Sequence, residues 1–576
     1  MSAVAVTAPT QWAGAPKDSL ANLGVYSGFT WRFNRLRLIV WALVTIGMIG
    51  FVAYYYVGIF GSAEQAATCK PACFPELHAF TSIAAAPPMN ALIGTPTLAA
   101  AATIGGAIWC KYWMFGGVML MIGMLYLTTR SLRGDEDAGR AELMRAYPLG
   151  LHSRLAATVW INMVASLVIG LLCGPMVAAL LAQTAVGADG TMVGGGAAGA
   201  YVFGLSIAAL GILGVGLGAL VNQIAPTNGG ANGLGIAIIG VFYVIRMIGD
   251  MNSSLDLTTK TQHFSPLIWA SPIGWGQKMD PWGANKWWPA LLQVALAAIC
   301  VAIAWWLEQR RDLGAGLVAA RLGSAKAARF TTTSVGLSLR TQRASIIAWL
   351  IGIMIMGDLL GSVVTKFSSA FTSLGGSFNM DDLRSVVALM ASIMSLVIAA
   401  FAIQSVSTVR GNEEAGLAEA QLAGPVSRVG WTMQRVAVAF VVTAVLLMVA
   451  GGMMGYAYTQ SKPALTISMA SFVGSALIYL PAVAILMSVF ILGFGWWPRQ
   501  SVAVAWAVIS LMFIFEIVGV ATHIPQKVLD LMPFQALPAI PYEAMNWTPV
   551  LIESGIAIVL TVVGLIGFRR RVVPTV

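Results

Sequence analysis

The chain has 576 residues, 58% of them hydrophobic and only 10% charged, and a net charge of +10. A water-soluble globular protein carries about 25% charged residues, so this composition excludes that class. Apolar runs of about 20 residues recur along the chain, which is the length that crosses a bilayer as a helix. The alternating segments of about ten residues that are typical of a membrane β-barrel are not seen. We therefore predict an all-α polytopic membrane protein.

The apolar runs predict twelve membrane spans. They cover residues 37–60, 112–130, 155–184, 199–221, 233–251, 288–307, 344–365, 384–409, 432–458, 466–494, 502–521 and 549–568. Of the 33 Lys and Arg residues, 23 fall in the N-terminal tail, in alternate loops and at the adjoining span edges, 9 fall on the opposite side, and Arg246 lies within a span. The positive-inside rule assigns the basic side to the cytoplasm, so both termini are expected there. This distribution accounts for the net charge without nucleic acid as a partner.

The twelve spans form two tandem halves of six. The predicted divisions are a cytoplasmic tail with an amphipathic approach helix (1–36), the first half (37–307), a basic cytoplasmic linker with a second approach helix (308–343), the second half (344–568) and a cytoplasmic tail (569–576). The approach stretches, Val25–Leu36 and Val335–Arg343, mix apolar and basic residues, so we expect them to lie flat against membrane lipids. For the linker, a positive-inside anchor without a specific partner is the favoured interpretation.

The predicted first outer loop, residues 61–111, holds Cys69 and Cys73 on either side of Pro71. The outer compartment permits oxidation, so a disulfide between the two cysteines is a hypothesis, against which Pro71 restricts the required geometry. No group of Cys and His has the spacing of a metal site, and the acidic run 135–137 lacks the spaced ligands of a calcium loop. We therefore predict no metal.

An internal repeat is the strongest signal in the sequence. The stretch after the second span, Arg133–Gly150, aligns with the stretch after the eighth span, Arg410–Ser427, at a constant offset of 277 residues. Eight positions are identical, and in the first copy they are Arg133, Gly134, Glu136, Ala138, Gly139, Glu142, Ala146 and Pro148. Asp137 aligns with the similar Glu414. We interpret the repeat as a duplication and call the two stretches the acidic segments.

In the first acidic segment, Glu136, Gly139 and Glu142 recur every three residues, which predicts a short helix with these positions near one face. Such a helix is too polar to enter lipid. Because it is present twice on the cytoplasmic side, we expect it to dock to a symmetric pair of soluble partners. The alternative is a solvated loop whose charges only keep it out of the membrane.

Charged residues within predicted spans include Arg246, Asp250, Asp358 and Glu516. Charges at this depth are costly, which makes each of them a functional candidate. Arg246 and Asp250 stand one helical turn apart, so we expect Arg246 to pair with Asp250 or with Glu516. A structural pair is favoured over a substrate site or a proton site.

Two outer segments rich in Pro and aromatic residues precede the last span of each half. They cover residues 271–292 and 532–552. Tryptophan favours the headgroup level of a membrane, so we expect interfacial or re-entrant pieces there. The tryptophans on which this prediction depends are Trp275, Trp282, Trp287, Trp288 and Trp547.

The sequence lacks motifs for catalysis. No Gly-rich loop is followed by Lys and then Ser or Thr, so the chain is not expected to bind ATP phosphates in that way. No nucleophile and base stand out either, and we predict that the chain is not an enzyme. If ATP drives this protein, the ATPase is another polypeptide.

These motifs resemble the twelve-span permeases of ABC exporters for polyketide antibiotics and other drugs. The first acidic segment is similar to the R-x-E-E-x-G-R-x-E-L signature of that family, at Arg133, Asp135, Glu136, Gly139, Arg140, Glu142 and Leu143. The stretches 243–250, 271–281, 285–289 and 311–317 are similar as well. The second copy departs from the signature, with Leu417 in place of the Arg and Ala420 in place of the Leu.

The resemblance implies two six-helix bundles, each with an elbow helix, a cytoplasmic coupling helix and outer re-entrant helices. It implies two copies of an ATP-binding subunit, which would hold ATP and Mg, and a substrate that is an amphiphilic small molecule. It places the protein in a bacterial cytoplasmic membrane. The residues implied to couple to the ATPase are Arg133, Asp135, Glu136, Gly139, Arg140 and Glu142 in the first copy, and Arg410, Glu413, Glu414, Gly416 and Glu419 in the second.

A proton-coupled secondary multidrug transporter is the main alternative, because twelve spans in two halves also describe that class. Two features favour the ATP-driven exporter. Carboxylates within the spans are sparse, and the acidic segments have no evident role in a secondary transporter.

Overall fold

A computed structural model describes most of the chain. The described residues are 19–60, 94, 95, 97, 103–184, 194–256, 261–312, 314–318, 326, 328–373, 380–424, 426–461, 466–519 and 532–571. Cys69 and Cys73 lie outside the described residues, and so does the hypothesis of a disulfide between them. The chain divides into two compact units, Met1–Leu322 and Gly323–Val576.

The first unit consists of helices with one small hairpin. Its helices are α1 (Leu23–Phe60), α2 (Ile104–Asp137), α3 (Arg140–Arg145), α4 (Ser153–Leu181), α5 (Ala197–Ile224), α6 (Asn228–Met251), α7 (Pro272–Gln277) and α8 (Pro289–Glu308). Between α6 and α7 lie the antiparallel strands β1 (Ser254–Asp256) and β2 (Thr261–His263), followed by a 3-10 turn at Pro266–Ala270.

Helix α5 is the centre of the first unit, since α2, α4 and α8 all pack against it. Its sequence is rich in Gly and Ala, which allows neighbouring backbones to approach closely. A Cβ added at Gly204 would lie 2.5 Å from the carbonyl oxygen of Gly170 on α4. Glycine is therefore required at this crossing, and small residues set the helix spacing in the unit.

The second unit is also helical. Its helices are α9 (Ser334–Ser373), α10 (Met380–Glu414), α11 (Leu417–Leu422), α12 (Arg428–Gln460), α13 (Met469–Leu477), α14 (Leu480–Trp496), α15 (Ser501–Gly519), α16 (Pro533–Ala536) and α17 (Trp547–Arg570). The most extensive helix contacts in this unit are those of α14 with α17 and of α9 with α12. At Gly564 on α17, an added Cβ would lie 2.6 Å from the carbonyl oxygen of Ile491 on α14. Small residues again allow close packing.

Eleven helical stretches of the described chain are long and apolar enough to cross a membrane, with α13 and α14 counted together as Met469–Trp496. They correspond to eleven of the twelve predicted spans. The remaining prediction, residues 502–521, overlaps the shorter apolar stretch Ser501–Phe513 of α15. The prediction of an all-α polytopic membrane protein is confirmed, since the small hairpin lies outside these helices.

The two approach stretches differ from their prediction, because neither is separate from the span that follows it. Val25–Leu36 is part of α1, which has 38 residues, and Val335–Arg343 is part of α9, which has 40 residues. The physical reason is local. No proline at either junction ends the helix, so each approach stretch continues into its span.

Candidate functional site

The two acidic segments have the same backbone structure. In the first, α2 ends at Asp137 and the short helix α3 covers Arg140–Arg145. In the second, α10 ends at Glu414 and the short helix α11 covers Leu417–Leu422. Each boundary in the second copy is 277 residues after its counterpart in the first. The duplication seen in the sequence is therefore a duplication of local structure as well.

A glycine breaks the helix in each acidic segment. Gly139 and Gly416 have left-handed φ angles of 69° and 70°, which glycine adopts without the steric cost that other residues meet. The prediction that Glu136, Gly139 and Glu142 lie near one face of a single helix is therefore wrong. The left-handed glycine ends the first helix and changes the chain direction. Glu136 belongs to the last turn of α2, whereas Glu142 lies in the first turn of α3.

Glu136 is the centre of a buried ion-pair network. Its carboxylate accepts hydrogen bonds from Arg133 at 2.6 Å, from Arg311 at 2.7 and 2.8 Å, and from Arg154. Arg154 lies in the first turn of α4 and Arg311 follows α8, so three elements distant in sequence meet at one carboxylate. A buried carboxylate is costly unless cations pair with it. Glu136 is therefore an internal anchor and is not exposed to a soluble partner.

The same arginines hold the stretch that follows α8. Arg133 donates hydrogen bonds to the carbonyl oxygens of Ala225 and Ala315, the second at 2.9 Å. Arg311 donates to the side chain of Gln223, and the backbone N–H of Leu317 donates to the carbonyl of Gln223 at 3.0 Å. The ends of α2, α5 and α8 are thus fastened together beside the first acidic segment.

Glu413 occupies the equivalent position in the second unit. It is buried, and its carboxylate accepts hydrogen bonds from Arg410 at 3.1 Å and from Arg571 at 2.8 Å. Arg410 also pairs with Glu414 at 2.9 Å. Arg571 directly follows α17, just as Arg311 follows α8. In each unit, an arginine after the last long helix is therefore bonded to the buried acid of the acidic segment.

Sequence reasoning identified the acids of these networks but missed the roles of three arginines: Arg154, Arg311 and Arg571. One signal was available. A cluster of arginines follows closely after the last predicted span in each half. That signal was interpreted only as a membrane anchor, because basic residues at span ends serve that purpose in general.

One face of the short helix α3 is exposed. Ala141 is buried, whereas Glu142 is exposed and Leu143 and Tyr147 are each 75% exposed. The far end of the segment is held to the start of the first unit, where Asn22 donates to the carbonyl of Pro148 at 2.8 Å. A fixed helix that presents two large apolar side chains beside an acid has the properties of a docking surface.

The second acidic segment exposes a different set of side chains. In the first copy, Arg140 and Asp135 form an ion pair at 2.6 Å. The second copy has Leu417 and Asn412 at these positions, so it lacks that pair. Leu417 and Glu419 are exposed on α11. The acid equivalent to Glu142 is therefore exposed in both copies, while the apolar part of the face differs.

Arg246 and Asp250 form a buried ion pair within α6, at 3.0 Å. Asp250 also accepts hydrogen bonds from the backbone N–H of Thr95 at 3.1 Å, from its hydroxyl at 3.0 Å, and from the side chain of Gln277 at 2.8 Å. The pair therefore holds Thr95 and helix α7 against the end of α6. This arrangement has the features of a structural clamp.

The other predicted charges within spans are placed differently. Asp358 is exposed on α9, and the side chain of Glu516 lies outside the described residues. Sequence reasoning missed a further buried pair, in which Nδ1 of His152 lies 2.8 Å from Glu308. The imidazole of His152 also stacks on Trp305, with 4.1 Å between ring centroids. This pair joins the start of α4 to the end of α8.

The predicted aromatic residues divide into an exposed group and a buried one. Trp287, Trp288 and Trp547 are exposed, as expected for side chains at a membrane interface, and Trp275 is half-buried. Trp282 is only 6% exposed and belongs to the core of the first unit. The interfacial prediction for Trp282 thus differs from the structure, because tertiary packing encloses its ring.

Lys278, in the first outer segment, lies over the ring of Phe264 at 3.6 Å from the centroid. Burial lowers the pKa of Lys278 to about 8, an effect that the charges of Asp250 and Asp280 only partly oppose. Lys278 therefore loses its positive charge in the mildly alkaline range.

Comparisons with known proteins give a family match in the second unit and a relative that is similar along most of the chain. Residues 332–569 match a family model described as the C-terminal domain of the multidrug efflux system permease Rv1217c. A relative, the multidrug efflux system permease protein Rv1217c of Mycobacterium tuberculosis, is 31% identical over 505 residues. The matched part is 86% of this chain and 86% of the relative. The similarity therefore extends across both units.

Proposed function

The chain belongs to the family of multidrug efflux system permeases, and from this membership we propose that it is the membrane-spanning subunit of an ATP-driven exporter. It is a multi-pass membrane protein with a role in transport. We infer that two copies of a separate ATP-binding subunit, which hold ATP and Mg, dock on the two acidic segments. The exported molecules are amphiphilic small molecules, such as antibiotics, drugs or lipid-like compounds.

The two acidic segments are the main support for coupling to ATP. Each contains a short polar helix that starts after a left-handed glycine, and each presents an exposed acid, Glu142 or Glu419. A pair of equivalent surfaces on two tandem units suits a pair of identical partners. The alternative of a solvated loop does not account for the buried carboxylates that hold both helices in place.

The buried ion pairs offer a route by which motion of a docked ATPase reaches the spans. A push on α3 acts on the end of α2, and through Glu136 it acts on Arg154 of α4 and on Arg311 after α8. In the second unit, the same push on α11 acts through Glu413 on Arg571 after α17. Closure of the ATPase subunits would in this way move the last long helix of each unit.

The side of the membrane follows from the basic residues. Both acidic segments and both termini lie on the side rich in Lys and Arg, which we assign to the cytoplasm of a bacterial cell. A proton-coupled secondary transporter is the competing class. It needs no ATPase, so the two classes differ in what should be purified with the chain.

We expect the full chain, purified in mild detergent from its native membrane, to carry an ATPase at two copies per chain. Replacing Glu142 and Glu419 together with Lys should lower the amount of bound ATPase at least about tenfold, because both exposed faces then repel the same partner surface. Quantitative gel analysis of the purified complex measures this ratio. Glu136 and Glu413 are unsuitable for this test, since both are buried.

The matched control is Asp381→Lys, which reverses an exposed charge at the other end of the second unit. It should leave the bound ATPase at the level of the unaltered chain. A chain that is purified without any ATPase, and that exports its cargo in vesicles when only a proton gradient is supplied, would contradict the proposed coupling and favour the secondary transporter.

A further inference from the structure

Glu553 is a buried carboxylate that has no partner within the described chain. It lies on α17, its side chain is 4% exposed, and neither carboxylate oxygen accepts a hydrogen bond. The other buried carboxylates of the described residues all have partners, and they are Asp135, Glu136, Asp250, Asp280, Glu308 and Glu413. Glu553 therefore requires a separate physical explanation.

Among the described residues, the elements packed against α17 bring no counter-charge close to Glu553. Helix α17 packs mainly against α14, which contains no charged residue, and also against α12. Both arginines of α12 lie in its first turns, at the end that contacts the backbone of Arg571. On α17 itself the first cation is Arg569, 16 residues after Glu553, which is about 24 Å along the helix. Before α17, the preceding charged residue is Glu543, which has the same sign.

An isolated buried carboxylate is unfavourable in its charged form unless it takes up a proton or a positive charge joins it, and an organic cation can supply that charge. A metal ion does not fit, because no group of three or more His, Cys, Asp and Glu in the described ranges has the arrangement to hold one. The faces around Glu553 come from α14 and α17, whose sequences are apolar over this region. One negative charge in apolar surroundings is the complement of an amphiphilic organic cation.

We propose that Glu553 binds the positive charge of an organic cation, such as a protonated or quaternary amine, during export. The assignment rests on the proposed export function and names the charge class of its substrate. Glu553 is six residues from the start of α17, about 9 Å along the helix, which places the site near the predicted outer end of the last span. Because the carboxylate is enclosed here, the cation binds when α17 moves away from its neighbours in the second unit.

The direct test is the binding of ethidium, a permanently charged cationic dye, to the purified full chain, followed by fluorescence polarisation. Glu553→Gln should raise the Kd for ethidium at least about tenfold, because the variant keeps the shape of the side chain and loses its charge. Glu553→Asp should raise it less. The matched control Glu543→Gln removes an exposed charge near the same end of the unit and should leave the Kd unchanged. The uncharged dye Nile red should bind all four chains equally.

A second measurement uses the unaltered chain, so it holds even where Glu553→Gln does not fold. The hydrophobic reagent dicyclohexylcarbodiimide should modify Glu553, as located by peptide mass spectrometry, and ethidium should slow this modification. Wild-type ethidium affinity in Glu553→Gln would overturn the proposal, and so would modification of Glu553 that ethidium does not slow. A variant that changes only the pH dependence of export, with ethidium binding intact, would show a proton site and would also overturn it.

These outcomes are separate from those that test ATP coupling. The dye measurements use the chain without an ATPase. If no ATPase is purified with the chain, the coupling proposal fails while an ethidium result stands. If ethidium binding does not depend on Glu553, the substrate assignment fails while co-purification of the ATPase is unaffected.

Discussion

Replacing Glu136 with Gln is expected to destabilise the first unit by about 3–5 kcal/mol, the usual cost of removing one partner from a buried ion pair. The amide that replaces the carboxylate has no charge to offset Arg133, Arg154 and Arg311, and all three guanidiniums remain in place. The ends of α2, α4 and α8 would then separate, and α3 would lose its fixed position. We expect export to fall at least about tenfold, even though Glu136 does not reach the surface.

The loss of stability is measurable by thermal unfolding in detergent with a thiol-reactive dye. Cys110, Cys173 and Cys300 are free and buried in the first unit, so they react when it unfolds. The matched control is Glu142→Gln, six residues away and exposed, which should change stability by no more than about 0.5 kcal/mol. Equal unfolding temperatures for Glu136→Gln and Glu142→Gln would show that the buried network does not hold the segment.

Replacing Trp282 with Ala is expected to cost the first unit about 3–5 kcal/mol, the range for truncating a large buried aromatic side chain. The indole packs against Phe203, with 5.8 Å between ring centroids, and it lies in contact range of Gly105, Gly195 and Gly199. Trp282 also holds a left-handed φ of 60°, which is unusual for a bulky residue. Removal of the ring would leave a cavity that three glycines cannot fill.

The matched control for this prediction is Trp287→Ala in the same outer segment. Trp287 is 60% exposed, so its truncation should change the unfolding free energy by about 0.5 kcal/mol or less. Both variants are compared by the same thiol-dye assay. If Trp282→Ala were as stable as Trp287→Ala, the ring would not be part of the core, and the interfacial interpretation of the whole segment would be restored.

A double-mutant cycle checks that the indole itself causes this effect. The three atoms nearest to a Cβ added at Gly105 all belong to the ring of Trp282. Gly105→Ala should therefore destabilise the unaltered chain, and it should be neutral or slightly stabilising once Trp282 is Ala, because alanine is the better helix former. A penalty for Gly105→Ala that is the same in both backgrounds would show that another neighbour causes it.

The membrane class, the long helices and the duplication were predictable from the sequence. Each depends on a local pattern, either a run of apolar residues as long as a bilayer is thick or a match between two stretches of the same chain. The approach stretches were the exception among local features. Their amphipathic pattern is present, but the residues that would end a helix before each span are not.

The residues of the candidate site were predictable only as a set. The repeat in the sequence shows Glu136 and Glu413 as equivalent acids. It gives no reason to expect a different role for them than for Glu142 and Glu419. The structure separates them, because Gly139 and Gly416 end one helix and begin another. The acid before each glycine then points inward, and the acid after it remains exposed.

Local patterns along the chain are enough to predict a polytopic helical membrane protein with two related halves and a repeated polar segment in each. Composition, span length and internal identity are properties of neighbouring residues or of aligned stretches, and they need no knowledge of the fold. Which charges are internal could be seen only from the packing of distant elements. Glu136 is an anchor because Arg154 and Arg311, 18 and 175 residues away, converge on it. Glu553 has no partner among the described residues, because no cation of those residues reaches it. Burial and pairing depend on which distant elements meet in space, and that information is not contained in any local pattern.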